Sequence, residues 1–109
     1  MIQVIETEWS QAEEKIAREV FDKAYEREIS ALIKQVQQQS NQITELEHLW
    51  NLHDFLSARR HEIDGKYDYR DSSLVFVFAL LLKEGWLHVD ELAGLTSDKR
   101  AKIVALSRM

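Results

Sequence analysis

The fold is decided by the stretch from Tyr25 to Arg60, YEREISALIKQVQQQSNQITELEHLWNLHDFLSARR. It contains neither glycine nor proline, and one set of positions recurs along it at alternating spacings of four and three. This alternation keeps a stripe on one side of a slightly underwound helix, as in a coiled-coil seam. The positions are Tyr25, Ile29, Leu32, Val36, Gln39, Ile43, Leu46, Trp50, His53, Ser57 and Arg60. A helix over the whole stretch would be a rod on the order of 50 Å long.

Such a rod cannot cover its own stripe, and a second copy of the chain is the simplest cover. The sequence therefore predicts a homodimer. The predicted interface consists of the stripe and its apolar flank: Ile29, Leu32, Ile33, Val36, Ile43, Leu46, Leu49, Trp50 and His53.

The polar run from Gln37 to Gln42 is the weak point of the rod. It is either a polar layer that fixes the register of a continuous helix, or a break that turns the rod into a hairpin. Because the stripe keeps its spacing through the run, we favour the continuous helix.

Composition and punctuation predict an all-α fold. Proline is absent and glycine occurs three times, whereas folds made of strands and turns need many such residues. Ser10 and Glu13 match a capping box, Asp71 matches an N-cap for a helix through Glu84, and Gly85 is placed to end that helix. A short helix near residues 89–93 and a last helix capped by Thr96 or Ser97 would follow. We expect one structural domain with a dimer-forming stalk (residues 1–62) and a small helical head (residues 63–109).

Charge and cysteine content limit the function classes. A net charge of −5 argues against a general nucleic-acid binder, which needs a basic face. The chain has no cysteine, and we see no signal peptide or apolar run long enough to cross a bilayer. We therefore expect a cytoplasmic protein. The bases near the C-terminus, among them Lys102 and Arg108, could touch an acidic partner or a membrane surface, or simply complement a helix end.

The alternative function that the sequence suggests is a dimeric helical-bundle enzyme with a metal site. Glu45-x-x-His48 has the spacing used in dimetal four-helix bundles. Both residues fall off the stripe, however, and no further inward carboxylates accompany them. A solvated face is the better interpretation, so we predict no metal, no cofactor and no catalytic residue.

The stripe changes character between Leu49 and Arg60. Trp50 is large and apolar, but the next stripe positions include His53 and Arg60, with Asp54 on the flank. A stripe built only for stability would continue with leucines. Tryptophan and arginine with an acid in reach are typical of protein–protein hot spots, although a polar patch that fixes dimer register would look the same. Both roles can coexist.

The segment from Leu74 to Leu82 is apolar on all sides and predicts the core helix of the head. We expect Phe76 and Phe78 to be core residues in the first instance. A helix of this kind is hard to bury fully in so small a head, which would leave one of them on the surface.

At these residues the sequence resembles the fluorescence recovery protein family of cyanobacteria. The resemblance spans nearly the whole chain and is densest from Leu49 to Asp68. It also covers WSQAE (residues 9–13), FVFA (76–79), LLKEG (81–85), DK (98–99) and KI (102–103). Trp86, where an aliphatic residue is expected, and the glutamine-rich middle depart from the family pattern.

The resemblance implies an all-helical dimer without pigment or covalent chemistry. Such proteins bind the light-activated orange carotenoid protein, chiefly through its C-terminal domain. They speed its return to the resting orange form and its detachment from the phycobilisome, which ends non-photochemical quenching. Thylakoid association at the cytoplasmic face is left open. The residues that the resemblance implicates in partner contact are Trp50, His53, Asp54, Arg60, Phe76 and Lys102. A structural adaptor of the same fold, with no effect on the partner's rate, remains an alternative.

Overall fold

The computed structural model describes residues 8–109, and the secondary-structure elements in this part of the chain are all helices. Four α-helices and one 3₁₀ helix follow one another: α1 (Gln11–Ser40), α2 (Leu46–Lys66), α3 (Leu74–Glu84), the 3₁₀ helix Val89–Leu92, and α4 (Ser97–Ser107). The described residues contain no strand. The prediction of an all-α fold with small C-terminal helices is confirmed.

Several predicted helix ends are confirmed at atomic detail. The capping box is present, because Glu13 N donates to Ser10 Oγ at 3.1 Å and Ser10 N donates to Glu13 Oε1 at 3.1 Å. Thr96 caps α4 by accepting from Lys99 N at 3.3 Å. Gly85 ends α3 in the left-handed backbone conformation, with φ of 87°. Residues other than glycine rarely adopt this conformation.

The predicted N-cap at Asp71 is wrong. The helix α3 begins three residues later, at Leu74, and Ser73 stands at the N-cap position without a side-chain cap bond. A turn precedes it, in which Ser73 N and Leu74 N both donate to Arg70 O. The carboxylate that orders this turn belongs to Asp68, which accepts from Ser73 Oγ at 3.1 Å.

The predicted continuous helix from Tyr25 to Arg60 is also wrong, and the hairpin alternative is confirmed. α1 stops at Ser40, where Gln42 N and Ile43 N donate to carbonyls three residues back and tighten the last turn. Ser40 Oγ donates to Gln37 O at 2.9 Å, so the hydroxyl competes with the backbone pattern of the helix. α2 then runs back along α1, as the contact between Glu28 and Arg59 requires.

With α2 folded back along α1, residues 8–109 measure 57 × 26 × 24 Å along the principal axes. α1 alone, at 30 residues, accounts for about 45 Å of the long dimension. The hairpin covers part of the stripe within one chain, since Ile29, Leu32 and Val36 are half-buried. In α2 only Ile63 and Lys66 are buried.

The hydrophobic core lies at the other end of the molecule. Six residues of α3 are buried, and the first half of α1 packs in the same cluster. Phe78 is fully buried and meets Trp9 edge to face at a centroid distance of 6.3 Å. The cluster comprises Trp9, Ala17, Val20, Phe21, Ala24, Leu74, Val75, Val77, Phe78, Ala79, Leu81, Leu87, Leu92, Leu95 and Ile103. The division into residues 1–62 and 63–109 stays a prediction, and α1 contributes to the core of the predicted head.

The expectation that both head phenylalanines are core residues is wrong for Phe76, and the alternative that one of them reaches the surface is confirmed. Phe78 is fully buried, whereas 59% of Phe76 is exposed. Across residues 8–109, no helix combines the length and the hydropathy that a membrane span requires.

Candidate partner-binding site

The exposed face of α2 carries four of the six residues predicted for partner binding. Trp50 is 55% exposed and meets the ring of His53 edge to face at 6.0 Å. His53 Nδ1 lies 3.2 Å from Asp54 Oδ1, a hydrogen bond in which the protonated ring nitrogen donates. The structure therefore joins an indole, an imidazole and a carboxylate into one contiguous surface.

Arg60 extends this surface along α2. Its side chain is the most exposed of the set, at 86%, and its Nε lies 3.7 Å from Asp64 Oδ2. Arg60 lies ten positions further along the helix than Trp50, which corresponds to a rise of about 15 Å. We call Trp50, His53, Asp54 and Arg60 the α2 patch. Its groups can fill a pocket, exchange hydrogen bonds and pair with a carboxylate of a partner.

The two predicted head residues lie on other helices. Phe76 projects from α3 and Lys102 from α4, and both are exposed. A partner that contacts them as well as the α2 patch would therefore have to span two parts of the molecule.

The predicted dimer interface leaves apolar surface uncovered in the single chain. Leu46 is 66% exposed, Trp50 55%, Ile33 52% and Leu49 45%. The other apolar members, Ile29, Leu32, Val36 and Ile43, are half-buried. Leaving apolar area in water costs about 25 cal/mol per Å², so this face favours association.

Sequence reasoning missed a buried charged cluster where the hairpin meets the head. Its centre is Glu28, whose side chain is 1% exposed. Arg59 Nη2 donates to Glu28 Oε2 at 2.9 Å, Lys66 Nζ lies 2.8 Å from Oε1, and Tyr67 Oη donates to Oε1 at 2.6 Å. Lys66 Nζ also donates to Glu84 Oε1, at 2.6 Å. We call these five residues the Glu28 cluster.

The electrostatics of the Glu28 cluster follow from its contacts. Burial alone would raise the pKa of Glu28, but the hydrogen bonds from Lys66, Tyr67 and Arg59 outweigh it and lower the pKa. Burial and the neighbouring Glu28 carboxylate raise the pKa of Tyr67 far above its usual range. Glu28 is therefore ionised and Tyr67 is a neutral donor at neutral pH. The partners stand 31 to 39 positions away in the chain, so no local spacing could have indicated the cluster.

Two further ion pairs join α1 to the head. Arg27 donates to both oxygens of Glu91 at 2.8 Å, a bidentate pair. Lys99 Nζ lies 2.9 Å from Glu13 Oε1, and Thr96 N donates to the other Glu13 oxygen at 3.0 Å.

Both acids of these pairs titrate at unusually low pH. The pKa of Glu91 falls to about 2, chiefly through Arg27. Burial would raise the pKa of Glu13, but Lys99 and the N–H groups of Ser10 and Thr96 lower it to about 2.

The motif considered for a metal lies at the exposed tip of the hairpin. His48 Nε2 is 4.0 Å from Glu45 Oε2, and His48 Nδ1 accepts from Thr44 N at 3.3 Å. No group of three or more histidine or acidic side chains within residues 8–109 is arranged to hold a metal ion. A cleft of about 290 Å³ opens beside His48, lined also by Gln39 and Phe55.

Comparison with known proteins agrees with this architecture. The family model described as "Photoprotection regulator fluorescence recovery protein" matches residues 9–107. The fluorescence recovery protein of Synechocystis sp. (strain PCC 6803) is 56% identical over 109 residues, which cover all of both chains.

Solved structures give the same result. The fluorescence recovery protein of Fremyella diplosiphon superposes with a TM-score of 0.91 at 63% identity, covering 94% of this chain and all of that one. The Synechocystis sp. PCC 6803 structure superposes with a TM-score of 0.91 at 57% identity, with the same coverage. The chain therefore belongs to the fluorescence recovery protein family of photoprotection regulators.

Proposed function

We propose that this chain binds the photoactivated orange carotenoid protein, chiefly its C-terminal domain, and accelerates its return to the resting orange form. In doing so it promotes detachment of that protein from the phycobilisome and restores antenna fluorescence. The observation that carries the proposal is the α2 patch, in which His53 contacts both Trp50 and Asp54 while all three side chains remain exposed to solvent.

The composition of the α2 patch fits a protein partner. An exposed indole offers a large rigid area at low entropic cost, and Arg60 offers five donors in a planar fork. We assign Trp50 and Arg60 as anchors, and His53 and Asp54 as the groups that orient the contact. A rim of charges also favours one partner over others, because a mismatched charge is costly when it loses water.

Acceleration requires more than affinity. The protein must bind the passage between the two states of its partner more tightly than either end state. It must also prefer the open state over the closed one, since only a difference in affinity shifts populations. A helical hairpin that holds one domain while the other docks would turn a slow search into a local one.

A homodimer is part of the proposal. Large apolar side chains are exposed at Ile33, Leu46 and Leu49, and also at Trp50. A second copy of the chain would cover this apolar area and leave the α2 patch at the edge of the dimer interface. The α2 patch could then serve a third chain beside the dimer contact.

We also propose a cytoplasmic location, with peripheral contact at the thylakoid surface. The contact would be made by two exposed basic residues, Lys102 in α4 and Arg108 at the C-cap of that helix. Fractionation of cells before and after a high-salt wash tests this point. Release by salt would support an electrostatic contact, and absence from the membrane fraction would contradict it.

The decisive test is dark recovery of the photoactivated carotenoid protein, followed as the red-to-orange absorbance change. Arg60→Glu should lower the acceleration at least roughly tenfold, since it reverses a charge in the contact. Arg18→Glu is the matched control, because Arg18 is also an exposed arginine with an aspartate four positions on, Asp22 at 3.5 Å.

The outcomes separate the proposals. Equal rates for Arg60→Glu and the wild type would remove Arg60 from the mechanism. If the wild-type protein binds the carotenoid protein without changing its rate, the chain is a structural adaptor and the proposed function is wrong.

A further inference from the structure

We propose that Glu28 is a positioning residue: its buried cluster sets the orientation of α2 relative to the head, so that the α2 patch and the head engage one partner together. This inference rests on the proposed function for its consequence, but its structural part can be tested without any partner.

The first argument is connectivity. Glu28 belongs to α1, Arg59 and Lys66 to α2, and Glu84 to the last turn of α3. One carboxylate and one ammonium group thus link all three helices at a single point. Tyr67, the residue that ends α2, adds a third donor to Glu28.

The second argument is that few side chains of α2 are buried. Its buried residues are Ile63 and Lys66, both in the last turn and a half, and the rest of the helix is exposed or half-buried. The hydrophobic effect has no preferred direction, whereas hydrogen bonds between charged groups have defined lengths and angles. The direction in which α2 leaves the head therefore depends on the bonds of Arg59 and Lys66 to Glu28.

The third argument concerns the energy of such a cluster. Removing charges from water is costly, and a buried ion pair often adds little net stability compared with apolar residues of the same size. We infer that its contribution in this protein is to select one geometry. Every buried side-chain nitrogen and oxygen among residues 8–109 has a hydrogen-bond partner, so the cluster is fully satisfied in the arrangement observed.

The functional consequence follows from where the cluster lies. Arg59 is the chain neighbour of Arg60, the end of the α2 patch closest to the cluster, and Glu84 closes the helix that carries Phe76. The Glu28 cluster therefore lies between the α2 patch and the part of the head that carries Phe76. If it loosens, each area can still bind, but the two are no longer held at the spacing one partner requires.

Spin-label distances test the geometry directly. The chain has no cysteine, so Ala58→Cys on α2 and Ala105→Cys on α4, both exposed positions, can be labelled without background. Diluting labelled protein into excess unlabelled protein suppresses distances between copies. We expect one narrow distance distribution in the parent, and a distribution roughly twice as broad, or split, with Glu28→Gln or Arg59→Gln.

Glu62→Gln is the matched control. Glu62 also bonds Arg59, at 2.6 Å, but it is half-exposed and belongs to the same helix, so losing it removes one carboxylate without cutting a link between helices. Its distance distribution should equal that of the parent. If Glu28→Gln fails to fold, Arg59→Gln carries the test, because Glu28 then keeps Lys66 and Tyr67.

The recovery assay separates positioning from simple stability. At saturating concentration and at a temperature where circular dichroism shows the variants fully folded, Glu28→Gln and Arg59→Gln should accelerate recovery roughly tenfold less than the parent. Their affinity for the isolated C-terminal domain of the carotenoid protein should stay within about twofold of the parent.

Two results would overturn the inference: unchanged distance distributions in both variants, or a lowered melting temperature with full acceleration in the folded protein. If the parent itself does not accelerate recovery, the proposed function fails, while the distance measurement still decides whether Glu28 sets the geometry.

Discussion

The helices α2 and α3 follow one another in the chain and are used in opposite ways. In α3, six of eleven residues are buried, and the helix forms the centre of the core. In α2, two of twenty-one residues are buried, and large apolar side chains such as Trp50 and Leu46 lie in solvent. α3 therefore contributes mainly to folding, while most of the surface of α2 stays exposed in the single chain.

The largest expected effect distinguishes two phenylalanines on the same helix. Phe78→Ala removes a fully buried ring and should lower the free energy of unfolding by about 3–5 kcal/mol. Phe76→Ala, two positions away, should cost less than about 1 kcal/mol because most of that ring is already exposed. Urea unfolding followed by circular dichroism measures both. Equal losses would show that α3 is not divided between core and surface in this way.

Acid should weaken the contact between α1 and the head before it affects the apolar core. Glu13 and Glu91 have pKa values lowered from 4.5 to about 2, so their contribution is complete above pH 4.5 and is lost as the pH falls towards 2. Each carboxylate contributes up to about 3 kcal/mol. Glu28, whose pKa is also lowered, acts in the same direction.

Thermal unfolding between pH 7 and pH 2 measures this dependence. Glu91→Gln should flatten the acid limb of the profile, since one of the linked carboxylates is then absent. A melting temperature that does not change between pH 5 and pH 2 would contradict the assignment of these ion pairs.

A smaller effect is expected at the hairpin tip, on association and not on folding. Leu46→Glu places a charge in the predicted dimer seam and should raise the dimer dissociation constant roughly a hundredfold, while the helix content stays unchanged. Thr44→Glu, an exposed neighbour outside the predicted interface, is the control. Sedimentation over a concentration series checks both variants. A Leu46→Glu protein that is as dimeric as the parent would move the interface elsewhere.

What could be predicted from the sequence depends on the range of the interaction. The caps at Ser10, Thr96 and Gly85 were predictable because each is made within a few residues of its own helix end. The α2 patch was predictable as a set, because a change of residue type along a periodic stripe is visible in sequence.

The errors have physical causes. The stripe keeps its spacing through residues 37–42, and glutamine is a good helix former, so pattern and propensity both favoured a continuous rod. The observed hairpin is instead stabilised by contacts between residues far apart in the chain. Glu28 bonds Arg59, and the ring of Phe21 lies 5.4 Å from that of Tyr67, between centroids. Neither contact has a local signal, which is also why the Glu28 cluster was missed.

The most direct test of the central claim, that the exposed surface of α2 is the partner-binding surface, is the dark reversion of the photoactivated carotenoid protein with Trp50→Ala. The account predicts that this variant keeps its helix content and melting temperature, because the indole is 55% exposed, and loses most of the acceleration. A Trp50→Ala protein that speeds the reversion as well as the parent would contradict the account.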